Sequence, residues 1–198
     1  MRIVAGAWRG RALLAPPGAA TRPTADRVRQ ALFDMLLHAP WGGRAVIEGA
    51  RVLDAFAGTG ALGLEALSRG AASATFMEQD RAALRMLRAN AAACRAEGRC
   101  TVLPVDVLAA PMGEACGLVF LDPPYGQDFV ARALARLRDM GWIAPGALVV
   151  AETGRDEALP DLGDVLAERV HGAARVTVLT NLSHGSGVGP RSGRTRGA

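Results

Sequence analysis

The run Asp54-Ala55-Phe56-Ala57-Gly58-Thr59-Gly60-Ala61-Leu62-Gly63 constrains this 198-residue chain more than any other segment. It continues the apolar stretch Val52-Leu53 and opens onto a helix-forming stretch rich in Ala and Leu. Glycines at this spacing let a backbone leave a strand, turn tightly and come close to a ligand. In open α/β sheets such a turn lies beyond the carboxyl ends of the strands, where nucleotides bind. A glycine pattern alone is a weak signal, so the surrounding elements must supply the context.

They do. Residues 51–56 read as a strand, 60–69 as a helix, 74–78 as a strand and 81–97 as a long helix. Strands at 101–105, 117–122 and 147–152 follow, with a helix at 129–140 before the last. This alternation predicts a parallel sheet covered on both faces. Two further strands, 164–171 and 175–181, flank Gly172-Ala173-Ala174 and predict an antiparallel hairpin at the end. The fold class is α/β: a Rossmann-like sheet of seven strands, mostly parallel, with an antiparallel final hairpin. Ahead of it, 2–6 and 12–15 read as a small hairpin, and Thr24 as the N-cap of a helix reaching about His38. Residues 40–49 read as a linker. The expected organisation is a basic hairpin and helix at 1–44, a catalytic domain at 45–182 and a flexible tail at 183–198.

Charge divides along the same lines. Residues 1–44 carry net +5, residues 45–183 net −4 and the tail +3, with arginine as the only strong cation and no lysine. Basic ends around an acidic body suit a polyanionic partner, with Arg9, Arg11, Arg22 and Arg27 as the candidate phosphate contacts. Arg22, Arg27 and Arg29 crowd a helix start, where the macrodipole disfavours cations, so function explains them better than stability. Apolar residues make up 50% of the chain, yet no run approaches the ~18 residues of a membrane span. Arg9 and Arg11 interrupt any signal-peptide core. Cys94, Cys100 and Cys116 form no CxxC, so cytosolic thiols are expected. His38, His171 and His184 lack metal spacing, and no metal is expected.

Asp54 heads the glycine turn, where a carboxylate would repel a pyrophosphate. It suits a cofactor bearing an ammonium and a sulfonium and no phosphate, which describes S-adenosylmethionine. Asp54 either faces the ammonium or orders the glycine turn through backbone hydrogen bonds. Glu78, at the second strand end, can accept from ribose hydroxyls. Asp106, at the third, can accept from the adenine amine with Val107 beside the ring, or can simply cap the next segment. The expected cofactor pocket comprises Asp54, Phe56, Gly58, Thr59, Gly60, Gly63, Glu78, Gln79, Asp106 and Val107.

Leu121-Asp122-Pro123-Pro124-Tyr125 ends the fourth strand. Two prolines keep this backbone out of ladders and helices. Asp122 and the Pro123 carbonyl then become two acceptors converging on one amino group. Held by both hydrogens, an exocyclic amine pyramidalises and offers its lone pair to a methyl donor. Tyr125, the only tyrosine, can stack on a flat base. Asp122, Pro123, Pro124 and Tyr125 are the candidate catalytic group.

These motifs resemble class I methyltransferases acting on amino nitrogens. The chain as a whole is similar to the RsmD family over about residues 1–180. The resemblance rests on Met1–Gly6 with Trp8–Arg11, Arg22-Pro23-Thr24 with Asp26–Arg29, Asp54–Ala71 and Phe120–Tyr125. It implies methylation of a guanine N2 in bacterial small-subunit ribosomal RNA, within a ribosomal particle, by a cytoplasmic monomer. The chain departs from the family in having His171-Gly172 where a Tyr-Gly pair is usual, and Arg where lysines are. Two rivals are a DNA adenine-N6 methyltransferase, which also uses Asp-Pro-Pro-Tyr, and a non-catalytic RNA-binding assembly factor. The first lacks room for a sequence-reading domain. The intact motifs argue against the second.

Overall fold

Strand β1, Arg51–Ala55, is buried from Val52 onward, and β4, Cys116–Leu121, is buried at all but Gly117. Near-continuous apolar strands of this kind sit in the middle of a parallel sheet, covered on both faces. The computed structural model, which describes residues 1–16, 23–124, 126, 128–157 and 163–180, places them there. The remaining strands are β2 (Ser73–Met77), β3 (Cys100–Leu103), β5 (Ile143–Gly154), β6 (Asp164–His171) and β7 (Ala174–Thr180). One seven-stranded sheet results, in the order β3-β2-β1-β4-β5-β7-β6. β7 runs antiparallel to both its neighbours, and every other pair is parallel. The final hairpin turns at Gly172 (φ 64°), as the Gly-Ala-Ala spacing predicts.

Alternate residues divide the core. Val52, Phe76, Leu118, Phe120 and Val150 face one side, against helices α1 (Pro23–His38), α2 (Ala61–Ser68) and α3 (Arg81–Ala93). Leu53, Ala55, Val119, Leu121 and Val149 face the other, against α4 (Phe129–Asp139) and Trp142. Chain order reverses between β1 and β4. At such a switch point the flanking loops part and leave a crevice at the carboxyl ends. Ala55 and Leu121 are register partners there, so the glycine turn and the Asp-Pro-Pro segment emerge side by side.

Several boundaries differ from the sequence expectation. The 81–97 helix stops at Ala93, because Arg95 takes a left-handed φ of 53° and a new 3-10 turn starts at Glu97. Strand 101–105 ends at Leu103, before Pro104, which has no N–H for the ladder. β5 begins earlier, with Ile143 paired to Cys116 across a bulge. The linker 40–49 holds a 3-10 turn, Arg44–Val46, and a fully buried Ile47. α1 starts at Pro23, a residue suited to a first turn, so Thr24 is inside the helix and not its N-cap.

The N-terminal hairpin keeps one antiparallel bridge, Arg2 with Ala12, with Ile3 N–H donating to the Arg11 carbonyl at 2.9 Å and Leu13 N–H to the Met1 carbonyl at 3.0 Å, and it stops there because the next N–H groups bond elsewhere. Val4 and Ala5 N–H groups donate to Glu65 of α2 at 2.8 and 3.0 Å. Trp8 N–H donates to Ser68 Oγ at 3.0 Å, and that hydroxyl donates to the Ala5 carbonyl at 2.6 Å. Ile3, Leu13, Phe33 and Leu36 are buried in the same core as Leu64 and Phe120, so α1 covers the sheet. Arg29 is also structural: it is buried and paired with Asp26 at 2.8 Å and Glu65 at 3.6 Å. Its place near the helix start therefore reflects packing, contrary to the functional reading of that charge.

Candidate active site

A cleft of about 530 Å³ opens at the switch point. Phe56, Glu78, Gln79, Asp106, Val107, Asp122, Pro123 and Pro124 line it, together with Met77, Val105 and Glu152. Eight of the residues singled out in the sequence thus meet in one cavity. Each stands at or just past the end of a strand, so the sheet positions them all.

Phe56 is held in a left-handed conformation (φ 66°), uncommon for an aromatic residue. Its ring meets Phe129 edge-on at 6.3 Å, which fixes the cleft wall next to the glycine turn. Glu78 already accepts three backbone N–H bonds: Gln79 and Asp80 on Oε1 at 2.8 and 2.7 Å, and Gly58 on Oε2 at 2.8 Å. A carboxylate offers about four acceptor sites, so Oε2 retains one towards the cleft. Asp106 takes the capping role: Oδ1 accepts from Leu108 N–H at 2.9 Å at the start of the 3-10 turn Val107–Ala109, and the residue also lines the cleft.

Asp54, Thr59, Gly60 and Gly63 are buried behind the lining, whereas Gly58 is half-buried at its edge, tied to Glu78 and with open space beside it. Asp54 is buried and accepts from Gly63 N–H at 2.8 Å, the loop-ordering alternative of the two roles considered for it. Burial pushes its carboxyl up to about 8, against the lowering effect of the Gly63 bond, with Asp122 and Glu78 adding repulsion. Gly63 lies under Phe76, whose ring leaves no room for a side chain.

Asp122 is raised to about 7, first by the surrounding protein and then by Glu152. Asp122 is nonetheless exposed to the cleft, so water offsets part of that desolvation. Tyr125 and Arg22 lie outside the described residues. Arg9 and Arg27 are exposed. Arg11 is exposed too, and its guanidinium donates to the Ala93 carbonyl at the end of α3.

Two contributors escaped the sequence reading. Glu152, near the end of β5, completes the acidic wall beside Asp122. Asn90 is buried on α3 and ties three segments together. Its amide donates to the Leu14 and Thr59 carbonyls, both at 3.0 Å, and accepts from Leu14 N–H at 2.7 Å. The signal was an Asn among Leu84, Leu87 and Ala91 on the buried face of that helix.

Among the described residues the lining holds four carboxylates and no arginine or histidine. A phosphate group would find no counter-charge in it, whereas a cationic ligand would. Sheet order, the glycine turn and this acidic cleft define a Rossmann-like methyltransferase. The chain belongs to the family whose model is described as Conserved hypothetical protein 95, which matches residues 1–180. It is 43% identical over 162 residues to ribosomal RNA small subunit methyltransferase D of Escherichia coli K12, covering 81% of this chain and 78% of that one. The protein of the same name from Haemophilus influenzae is 34% identical over 188 residues, covering 91% and 94%. Among solved structures, yhhF of Escherichia coli superposes with a TM-score of 0.79 at 38% identity, covering 92% of this chain and 98% of that one. TrmN from Thermus thermophilus, at 24% identity over 78% of this chain and 48% of its own, shares the fold with a TM-score of 0.60.

Proposed function

We propose that this enzyme transfers a methyl group from S-adenosylmethionine to the N2 amine of a guanine in small-subunit ribosomal RNA. The observation that carries this reading is the emergence of Asp122-Pro123-Pro124 beside the glycine turn, in a cleft whose described lining carries four carboxylates. The cofactor would supply an electrophilic methyl group on a sulfonium. The residues present fit it: Glu78 offers an acceptor for a ribose hydroxyl and Asp106 one for the adenine amine. Val105, Val107 and Phe56 supply apolar walls, and Asp54 holds the turn that shapes the methionine end.

Asp122 and the Pro123 carbonyl hold the target amine by its two hydrogens and stabilise the positive charge that develops on nitrogen. Alignment of lone pair and methyl group supplies most of the remaining acceleration. Tyr125 stacks on the base, which must leave its own stack to enter the cleft. RNA phosphates stay outside this acidic cavity and meet Arg9, Arg11, Arg22 and Arg27, in the cytoplasm where ribosomal particles assemble.

The Asp122→Ala variant tests this assignment. Turnover is expected to fall about 10²-fold or more, the scale of losing one positioned electrostatic group. Affinity for S-adenosylhomocysteine should stay within a few-fold. Near-normal turnover would refute the amine-holding role.

A further inference from the structure

Helix α3 spans the distance between the cleft and the N-terminal hairpin. Its N-cap, Asp80, follows Gln79 of the cleft lining, and its last residue, Ala93, offers its carbonyl to the Arg11 guanidinium of the hairpin. At about 1.5 Å per residue, its 13 residues separate these ends by about 20 Å. An RNA strand that meets Arg11 while its target base occupies the cleft has the length of α3 as its direct path.

The exposed face of that helix is built from two residue types. Arg81, Arg85 and Arg88 are exposed, and every other exposed position of α3 is alanine. Their i, i+4, i+7 spacing sets the three guanidinium groups in one row. The helix holds no acidic residue, and Asp80 ahead of it is engaged by the Ala83 N–H at 2.7 Å. Among the described residues no hydrogen bond or ion pair holds any of the three arginines. The only acidic residue of the sequence outside that set is Asp161. The arrangement works against the helix itself. Like charges one turn apart repel, and Arg81 stands in a first turn, where the macrodipole disfavours a cation. Other helical arginines serve the fold: Arg29 and Arg69 pair with Glu65, and Arg136 donates to the Ala110 carbonyl.

We propose that the exposed face of α3 carries the phosphates of the RNA strand between cleft and hairpin, with Arg81, Arg85 and Arg88 as the contacts. This rests on the ribosomal-RNA reading and deepens it by giving the strand its path. Arg81, two residues past Gln79, holds a phosphate next to the nucleotide whose base enters the cleft, outside the carboxylate lining. Arg85 and Arg88 continue the row towards Arg11. Alanines between them let the backbone of the strand lie close to the helix. Contacts of this kind position a strand without reading its bases, so base choice stays with the cleft.

The test combines Arg85→Gln with Arg88→Gln, which keeps side-chain length and helix propensity. Binding to a small-subunit ribosomal RNA transcript is followed by fluorescence anisotropy from about 50 to about 200 mM salt. Affinity at the low end should fall about 10-fold, and the salt slope should drop by roughly 0.7 per lost contact. Arg85→Lys with Arg88→Lys keeps the charges and should keep the slope. Arg169→Gln, on β6 at the opposite end of the strand order, removes a charge elsewhere and should leave the slope unchanged. The loss should appear in KM, with kcat at saturating RNA within a few-fold, because neither residue touches the reacting atoms. Melting temperature and S-adenosylhomocysteine affinity should not fall. Absence of N2-methylguanosine from the wild-type product would refute the guanine-N2 assignment, whereas the path of the strand is read from binding alone. An unchanged slope in the folded Gln variant would overturn the proposal. So would an equal loss in Arg169→Gln, which would reduce the effect to net charge. Weaker binding to ribosomal particles with none lost on the naked transcript would overturn it too, by giving this helix face to a protein partner.

Discussion

Two glycines of one turn should respond in opposite ways to a single added methyl group. Gly60 has φ +80°, and a Cβ there would lie 2.3 Å from Leu87 Cδ1 and 3.4 Å from the Phe76 ring. Leu87 is fully buried and cannot swing away without displacing its neighbours. Gly60→Ala therefore combines a left-handed alanine, about 1 kcal/mol, with overpacking of about 1–3 kcal/mol. A loss of about 2–4 kcal/mol lowers the melting temperature of a chain this size by roughly 5–15 °C. Gly58 has φ +53°, and nothing lies within 4 Å of its Cβ position. Gly58→Ala costs only the backbone term, about 1 kcal/mol, or roughly 2–4 °C. Its methyl group instead stands in open space beside the Gly58 N–H bond to Glu78, where the cofactor is to bind. S-adenosylhomocysteine affinity, measured by calorimetry well below either melting point, should drop about tenfold or more for Gly58→Ala. For Gly60→Ala it should stay within a few-fold. The reverse pattern, a stable Gly60→Ala that loses binding, would refute this division of the turn into a cofactor side and a packing side.

Cofactor affinity should depend on pH through Asp54 and Asp122, whose carboxyls rise to about 8 and about 7. Both hold protons in the free enzyme below these values, and a cationic ligand favours their ionised forms. Affinity for S-adenosylmethionine should therefore increase from pH 6 to pH 9 with proton release, seen as a buffer-dependent calorimetric enthalpy. The same shifts stabilise the free fold below pH 4, and that contribution fades as pH rises through 8. A flat affinity profile would argue against an acidic cofactor site. Removing charge at Arg9 and Arg11 together should weaken RNA binding and flatten its salt dependence by roughly one unit per lost phosphate contact. Arg11 also meets the end of α3, so melting temperature is measured alongside; an unchanged salt slope assigns the pair to packing.

The parts of this site that could be read in the sequence are local. The glycine turn, Glu78, Asp106 and Asp122 each sit where a strand ends, and strand ends follow from short-range patterns of apolar residues, Gly and Pro. What could not be read depends on which strands become neighbours. Glu152 follows the run Ala147-Leu148-Val149-Val150-Ala151 and looks like a solvated acid until β5 pairs with β4 and brings it to Asp122. Glu65, Ser68 and Asn90 are similar cases. Each is a polar residue on the buried face of a helix, and its partners include backbone groups of the first fourteen residues. Arg29 misled for the same reason, since its partner Glu65 lies on another helix. Helix ends were misjudged where one backbone dihedral decides, as at Arg95.

The central claim concerns one atom, the nitrogen that receives the methyl group. Small-subunit ribosomal particles that lack the modification are incubated with the enzyme and methyl-labelled S-adenosylmethionine. Their RNA is digested to nucleosides, and the labelled species is identified by mass spectrometry. The account predicts label in N2-methylguanosine at a single position, incorporated at least about 10²-fold more slowly by the Asp122→Ala enzyme. Label in N6-methyladenosine, label in protein, or no transfer to any acceptor by a folded, cofactor-binding enzyme would contradict it.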